Sequence, residues 1–198
     1  MTDIIQTRLR IYHDLLLKWQ KSVNLVSPGT IPDAWERHFE DSLQVIQYIP
    51  ADAKTLIDIG SGAGFPGLVI AIARPDLKVH LIDSDSKKAT FLSVVSRETN
   101  QTNLTVHTGR IEQVLPTLNG DVVTARALAS LPELLVLTQS HWSRGGNESM
   151  IFLKGADSQK EVDLARQSYN FDVQAHVSQT SENARILCIS GVSEKQSA

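Results

Sequence analysis

Residues 58–67 read DIGSGAGFPG and constrain the fold more than any other stretch, because four of the ten are glycine. Glycine adopts positive φ angles and has no Cβ, so such a loop lets a ligand approach the backbone closely. Residues 62–67 fit the dinucleotide fingerprint G-x-G-x-x-G. Residues 58–64 fit the acidic-x-G-x-G-x-G loop of S-adenosylmethionine (SAM) enzymes. The loop by itself leaves both cofactors open.

The chain after Lys54 alternates short apolar runs with helical patterns. The predicted strands are TLIDI, VHLID, LTVHT, DVVTAR and MIFLK, and the predicted helices are 66–74, 86–99, 110–116, 131–142 and 158–169. This alternation indicates an α/β fold with a largely parallel sheet and helices on both faces. Two last runs, FDVQAHV and ARILCIS, are joined by a short loop, and a connection that short joins antiparallel strands.

A seven-stranded, mostly parallel sheet with a terminal antiparallel hairpin is the Rossmann-like arrangement of class I SAM-dependent methyltransferases. The common dinucleotide domain has six parallel strands. Pro66 also disfavours a dinucleotide, because a pyrophosphate requires free N–H groups at the helix start and proline has none. SAM has no phosphate, so the sheet and the proline both favour SAM.

Residues 1–50 are predicted to form a helical cap, and residues 51–198 a SAM-binding domain. Apolar side chains spaced three and four residues apart predict an amphipathic helix over 4–23, and a second helix that ends near Pro50. Trp19 and Trp35 are better explained as core residues than as platforms for stacked bases. The basic side chains of the first helix form either an RNA-facing patch or a solvated face: Arg8, Arg10, Lys18 and Lys21.

Composition excludes several classes of protein. No apolar run approaches the roughly 18–20 residues of a membrane helix. The N-terminus has no uninterrupted apolar segment typical of a secretory signal, and the single Cys188 has no partner for an internal disulfide. We therefore expect a cytoplasmic protein. The net charge of −3 argues against nonspecific coating of nucleic acid, so any RNA contact requires a local patch.

Three further positions indicate an adenosine cofactor. Asp83 ends the second strand, where carboxylates accept hydrogen bonds from ribose hydroxyls, although it also fits a helix cap. Ile111 and Glu112 follow the third strand and fit an adenine face and its amino edge, or an ordinary amphipathic turn. Arg126 ends the fourth strand, where an arginine grips the carboxylate of SAM or a substrate phosphate, or is exposed without a role.

The acceptor atom is constrained by what the chain lacks. Adenine amines are usually held by an Asn/Asp-Pro-Pro-aromatic turn after strand four, where this chain reads TARA. Attack through pyrimidine C5 requires a cysteine, and Cys188 is on another strand. Guanine N7 has an exposed lone pair and no proton to remove, so a site without a general base is compatible with it.

Five segments together resemble the ribosomal small-subunit methyltransferase G family, also called glucose-inhibited division protein B. They are KWQKSVNLVS (18–27), RHFEDS (37–42), IDIGSGAGFPG (57–67), RPDLKVHLIDSDSKKATFL (74–92) and ARALASL (125–131). The resemblance covers nearly the whole chain. It implies SAM-dependent methylation of N7 of a guanine in small-subunit (16S) rRNA, and the partner is that rRNA or the small subunit. We expect a monomer, with no metal and no membrane partner.

The resemblance also implies roles for individual residues. Gly60 and Phe65 line the SAM site, Ile111 and Glu112 lie at the adenine, and Arg126 faces the reacting end. The polar cluster Arg37, His38 and Asp41 is supporting or substrate-facing. The full predicted cofactor site is Asp58, Gly60, Gly62, Gly64, Phe65, Asp83, Ile111, Glu112 and Arg126, with no certain catalytic residue. Phe65 departs mildly from the family, in which an aliphatic residue is also common there.

Two rival functions stay open at the level of sequence. A small NAD-dependent oxidoreductase is favoured only by GAGFPG. A non-catalytic RNA- or ribosome-binding module would keep the fold without the activity, which the intact glycines and Asp83 disfavour.

Overall fold

The computed structural model describes residues 2–144 and 149–195. The strands are β1 (Thr55–Ile59), β2 (Lys78–Asp83), β3 (Leu104–Thr108), β4 (Val122–Arg126), β5 (Ser149–Lys154), β6 (Tyr169–Ser178) and β7 (Ser181–Glu194). The helices are α1 (Asp3–Trp19), α2 (Asp41–Leu43), α3 (Gly67–Ala73), α4 (Ser86–Glu98), α5 (Ile111–Val114), α6 (Leu131–Leu137), α7 (Gln139–Trp142) and α8 (Ser158–Ala165).

The strands form one sheet in the order β3-β2-β1-β4-β5-β7-β6. The first five strands are parallel, and β7 is antiparallel to both β5 and β6. This confirms the predicted seven-stranded sheet and its terminal hairpin. The strand order reverses between β1 and β4, and in open α/β sheets ligands bind outside the carboxyl ends of the strands at this point.

Two hydrophobic cores cover the two faces of the sheet. Leu56 and Leu81 face one core, which α1, α3 and α4 complete with residues such as Leu9, Leu68 and Phe91. Ile57 and Ile82 face the other, beneath α5 to α8. Alternate residues of each central strand are thus buried on opposite faces, which explains why these strands read as continuous apolar runs.

The N-terminal segment is helical as predicted, but its first helix is shorter and its second helix is less regular than the sequence predicted. Helix α1 ends at Trp19 instead of residue 23, because the Gln20 side chain bonds the backbone of Leu25 and Val26 and turns the chain back. The predicted second helix is a π-helical stretch (Trp35–Glu40), then α2, then a 3₁₀ stretch (Gln44–Tyr48).

Three later helices are shorter than predicted. The segment 110–116 contains only α5 and a 3₁₀ turn at Leu115–Thr117. Segment 131–142 divides at Thr138, whose hydroxyl bonds the Leu134 carbonyl. Helix α8 ends at Ala165, and β6 begins at Tyr169. Side-chain bonding to the preceding turn competes with helix continuation, which periodicity alone does not reveal.

The first fifty residues share a core with the sheet. Tyr12, Leu16 and Phe39 are fully buried in the same cluster as Leu68 of α3 and Leu92 of α4. Trp19 and Trp35 pack against this core, which is the structural role favoured from the sequence. A division into a cap and a separate domain at residue 50 stays a prediction. Within the described ranges, no helix is long and apolar enough to cross a membrane.

Candidate cofactor and acceptor site

A cleft of about 910 Å³ opens at the carboxyl edge of the sheet. Its floor is the glycine loop after β1. Its walls come from the ends of β2, β4 and β5, the start of α5, the β6–β7 turn and the segment 25–41. The parallel strands bring residues distant in sequence to one edge, as the strand-end argument predicted.

Two glycines show why the loop excludes larger residues. Gly60 has φ +62°, and a Cβ there would lie 2.5 Å from Cδ1 of Leu128. Gly64 has φ +98°, and a Cβ there would lie 2.6 Å from the Tyr12 hydroxyl and 2.9 Å from Cβ of Leu68. Both angles are in the left-handed region that favours glycine. The loop is therefore packed from both sides.

Asp83 ties the glycine loop to the end of β2. Its Oδ2 accepts a hydrogen bond from the Gly62 N–H at 2.7 Å, and its Oδ1 accepts one from the Asp85 N–H at 2.8 Å. Asp85 itself caps α4 by accepting from the Lys87 and Lys88 N–H groups, so Asp83 is not the cap of that helix. Each carboxylate oxygen of Asp83 keeps a lone pair for a further donor.

Asp58 lies beneath the loop and not on the cleft wall. Its side chain is fully buried, and its Oδ1 accepts from the Thr124 hydroxyl at 2.8 Å. Burial raises the pKa of Asp58 to about 6, although the hydrogen bond from Thr124 lowers it. Asp58 therefore joins β1 to β4 under the glycines, so its predicted role at the cofactor stays a prediction and would act through the loop.

Gly64 is likewise behind the wall, where Tyr12 of α1 reaches the loop. The Tyr12 hydroxyl donates to the Ala63 carbonyl, and its ring stacks on Phe65 with centroids 5.3 Å apart. Gly64 thus leaves space for the Tyr12 side chain that holds the loop, and it does not line the cleft. The predicted role of Gly64 at the cofactor stays a prediction.

Arg126 is the centre of a polar network at the other end of the cleft. Its Nη1 donates to the Asp41 Oδ2 at 3.2 Å and to the Arg37 carbonyl at 3.1 Å. Its Nη2 bonds Nδ1 of His38 at 3.0 Å, and the guanidinium lies 4.9 Å from the centre of the Phe65 ring. The next residue, Ala127, has φ +51°, a strained conformation of the kind that clusters at functional sites.

The same bond fixes the protonation of His38. Arginine only donates, so Nδ1 of His38 accepts, and Nε2 carries the proton toward the Thr30 hydroxyl 2.8 Å away. The Thr30 hydroxyl in turn donates to the Ser27 carbonyl. Burial, followed by the charges of Arg126 and Arg37, lowers the pKa of His38 from 6.5 to about 4. His38 is neutral at pH 7 and orients Arg126.

Asp41 extends the network to the β6–β7 turn. Its Oδ1 accepts from the Gln44 amide at 2.8 Å and from the hydroxyls of Ser178 and Thr180 at 3.2 and 3.0 Å. The Gln44 side chain also accepts from the Gln179 N–H. One carboxylate therefore holds Arg126 of β4 against a turn more than fifty residues further along the chain.

A second ion pair closes the wall beside β5. Lys154 lies 2.7 Å from the Glu161 carboxylate and donates to the Ala129 carbonyl at 2.6 Å. Glu161 also accepts from the Leu131 N–H at 2.7 Å. These bonds anchor the segment that follows Arg126.

The structure brings seven of the nine predicted site residues to the cleft wall. They are Gly60, Gly62, Phe65, Asp83, Ile111, Glu112 and Arg126. The sequence analysis missed Tyr12, Lys154 and the 178–181 turn. Lys154 had a signal, since a charged residue ends the strand MIFLK at the same edge as Asp83 and Arg126. The basic residues of α1 do not line this cleft, so their RNA-facing role stays a prediction.

Comparisons with known proteins give the chain a family. The model of the family described as rRNA small subunit methyltransferase G matches residues 5–188. The chain belongs to this family. It is 47% identical to the ribosomal RNA small subunit methyltransferase G of Paramagnetospirillum magneticum, over 94% of this chain and 88% of that protein. It is 45% identical to that of Parvibaculum lavamentivorans, over 93% and 82%.

Solved structures support the fold. A ribosomal protein L11 methylase from Lactobacillus delbrueckii subsp. bulgaricus superposes with a TM-score of 0.61 at 16% identity, over 78% of each chain. The O-methyltransferase TomG from Streptomyces achromogenes, in complex with SAM, gives 0.60 at 13% identity, over 96% of this chain and 91% of that one. The family resemblance and the class I methyltransferase fold are both confirmed.

Proposed function

We propose that this family member binds SAM in the cleft and methylates N7 of a specific guanine in small-subunit rRNA. The observation that supports it best is the joining of two unlike ends in one cleft. One end holds the glycine loop and Asp83, and the other holds the arginine network. A cofactor that carries an adenosine and an amino acid carboxylate requires both.

The residues present fit SAM, which supplies a methyl group on a positively charged sulfur. Asp83 would accept from the ribose hydroxyls with its remaining lone pairs, and Ile111 and Glu112 would lie at the adenine. The Nε hydrogen and one Nη2 hydrogen of Arg126 have no partner among the described residues, so they are open to the methionine carboxylate or to a substrate phosphate. Asp58 and Gly64 would act through the loop.

Among the residues that the structure describes, His38 and Asp41 at the acceptor end are both engaged, so neither is a free general base, which suits N7. His38 is bonded to Arg126 and Thr30, and Asp41 is paired with Arg126. Methylation of N7 requires no proton removal, so catalysis rests on positioning and on exclusion of water. The chain's contribution is therefore to hold two reactants in line.

Location and assembly follow as expectations. Its rRNA substrate would place the protein in the cytoplasm, acting as a monomer on rRNA or on the small subunit. No cluster that could hold a metal ion occurs within residues 2–144 and 149–195.

Transfer of label tests the proposal. Small-subunit rRNA and small subunits from cells that lack this gene would be incubated with SAM labelled in its methyl group. We expect label in rRNA with at least one of the two substrates, and less label after Asp83→Ala at low SAM. A thermal shift with NAD and none with SAM would instead support the oxidoreductase, and a folded chain that binds neither cofactor would support the binding module.

A further inference from the structure

The charges on the cleft wall are unevenly divided. The half built from β2, β3 and the helices after them has two basic and three acidic residues: Lys88, Arg110, Asp83, Asp85 and Glu112. The other half, built from β4, β5, β7, α8 and the N-terminal segment, has four basic and two acidic residues: Arg37, Arg126, Lys154, Arg185, Asp41 and Glu161. The acceptor half is thus positive in a chain of net charge −3.

The two acids of the acceptor half are already used. Asp41 is paired with Arg126 at 3.2 Å, and Glu161 with Lys154 at 2.7 Å. Arg37 and Arg185 form no ion pair with a described residue. They are the two cations of this half that no described carboxylate neutralises.

The structure holds both arginines in place. The Arg37 carbonyl accepts from Nη1 of Arg126, while its side chain is exposed and makes no hydrogen bond to the described residues. Nη1 of Arg185 donates to the carbonyls of Glu182 and Ala184, which leaves its Nε and Nη2 groups without described partners. Anchored arginines that keep unbonded guanidinium N–H groups suit phosphate oxygens.

Uncharged hydrogen-bond donors line the cleft together with the two arginines. Ser27 lies near Arg37 in the chain, and Ser181 and Asn183 precede Arg185. Hydroxyl and amide side chains, together with arginine, make most contacts to nucleic acid phosphates and sugars. This part of the cleft wall therefore has the composition of a surface that binds the nucleic acid backbone.

We propose that Arg37 and Arg185 form a phosphate clamp that grips the RNA backbone on either side of the target guanosine. The inference rests on the proposed function and adds the surface by which the RNA is held. Phosphate contacts fix the register of the RNA, while the cleft between them admits the base. It also explains how an acidic protein binds a polyanion, since the excess of positive charge is local.

Salt dependence of RNA binding tests the clamp. The probe is small-subunit rRNA from cells lacking this gene, titrated with the R37Q R185Q protein over a range of KCl concentrations in the presence of SAM. The control R97Q K160Q loses the same two positive charges at exposed sites outside the cleft. Calorimetry with SAM alone verifies that each variant is folded and binds the cofactor.

We expect R37Q R185Q to weaken RNA binding about a hundredfold at low salt, since each arginine contributes about tenfold. The slope of log K against log salt should fall by about 1 for each arginine lost. The control should match the wild type, and SAM affinity should be unchanged in both variants. Wild-type affinity and slope in R37Q R185Q would overturn the clamp alone. A wild-type protein that transfers no methyl group to any small-subunit rRNA would overturn the proposed function and the clamp with it.

Discussion

Among single residues, Asp83 ties the glycine loop to the end of β2 and is the acceptor that we propose for the ribose. Asp83→Ala removes the acceptor for the Gly62 and Asp85 N–H groups as well as the acceptor expected for the ribose. We expect SAM binding to weaken by about 1–3 kcal/mol, the usual cost of losing a charged hydrogen-bonding partner. Titration calorimetry measures this, with Asp76→Ala as a control, since Asp76 pairs with Arg74 at the surface. Equal SAM affinity in wild type and Asp83→Ala would contradict the role of Asp83.

Asp58 makes a prediction about pH. Its folded pKa of about 6 is raised above the ordinary value of 3.8, so the stability it contributes is present at low pH and is lost as pH rises through 6. Relative to Asp58→Asn, the wild type should gain about 1–2 kcal/mol of unfolding free energy from pH 8 to pH 5. Denaturant unfolding at several pH values measures the difference. His38, whose pKa is lowered, has the opposite effect in both proteins and cancels.

At the scale of elements, α1 supports the cofactor loop as well as covering the sheet. Tyr12→Phe keeps the ring between Phe39 and Phe65 but leaves the buried Ala63 carbonyl without its donor. We expect SAM affinity to fall about tenfold, with a smaller loss of stability. Tyr48→Phe is the matched control, because the Tyr48 hydroxyl makes no hydrogen bond to the described residues. A loss of stability without any loss of SAM affinity would limit Tyr12 to packing.

The strands could be predicted from the sequence, whereas the irregular helical stretches could not. The apolar runs predicted all seven strands, because a buried strand is encoded in a local pattern. The short last connection predicted the antiparallel hairpin. The π-helical and 3₁₀ stretches between Trp35 and Tyr48 were missed, because long-range contacts override local helical propensity there.

Some residues of the site could also be found from the sequence, whereas the contacts between distant residues could not. Asp83 and Arg126 were found because each ends a strand at the ligand-binding edge. The contacts of Asp41 with Ser178 and Thr180, and of Tyr12 with Ala63, join residues far apart in sequence. No local pattern encodes such pairs, so only the folded chain reveals them. Asp58 and Gly64 fit the motif but lie behind the cleft wall. The sequence could not reveal this, because a motif does not state which face of a loop meets the ligand.

At the scale of the whole molecule, one core joins the N-terminal helices to the sheet. Phe39 packs against Tyr12 and Phe65, and Trp19 packs against Phe91 of α4. We expect a single cooperative unfolding transition, and we expect a chain that begins at residue 51 to lose it, because its exposed core face has no partner. Calorimetry checks both. A stable, cooperative 51–198 fragment would instead support an independent domain.

One cleft has the glycine loop and Asp83 at one end and a positively charged half at the other. We propose methyl transfer from SAM at the first end to N7 of guanine at the second. The most direct measurement is to methylate small-subunit rRNA from cells lacking this gene and treat it with borohydride and aniline, which cleave RNA at 7-methylguanine. We expect cleavage at a single guanine, and we expect it to depend on both the protein and SAM. Methyl label in the rRNA without cleavage at any guanine would contradict it.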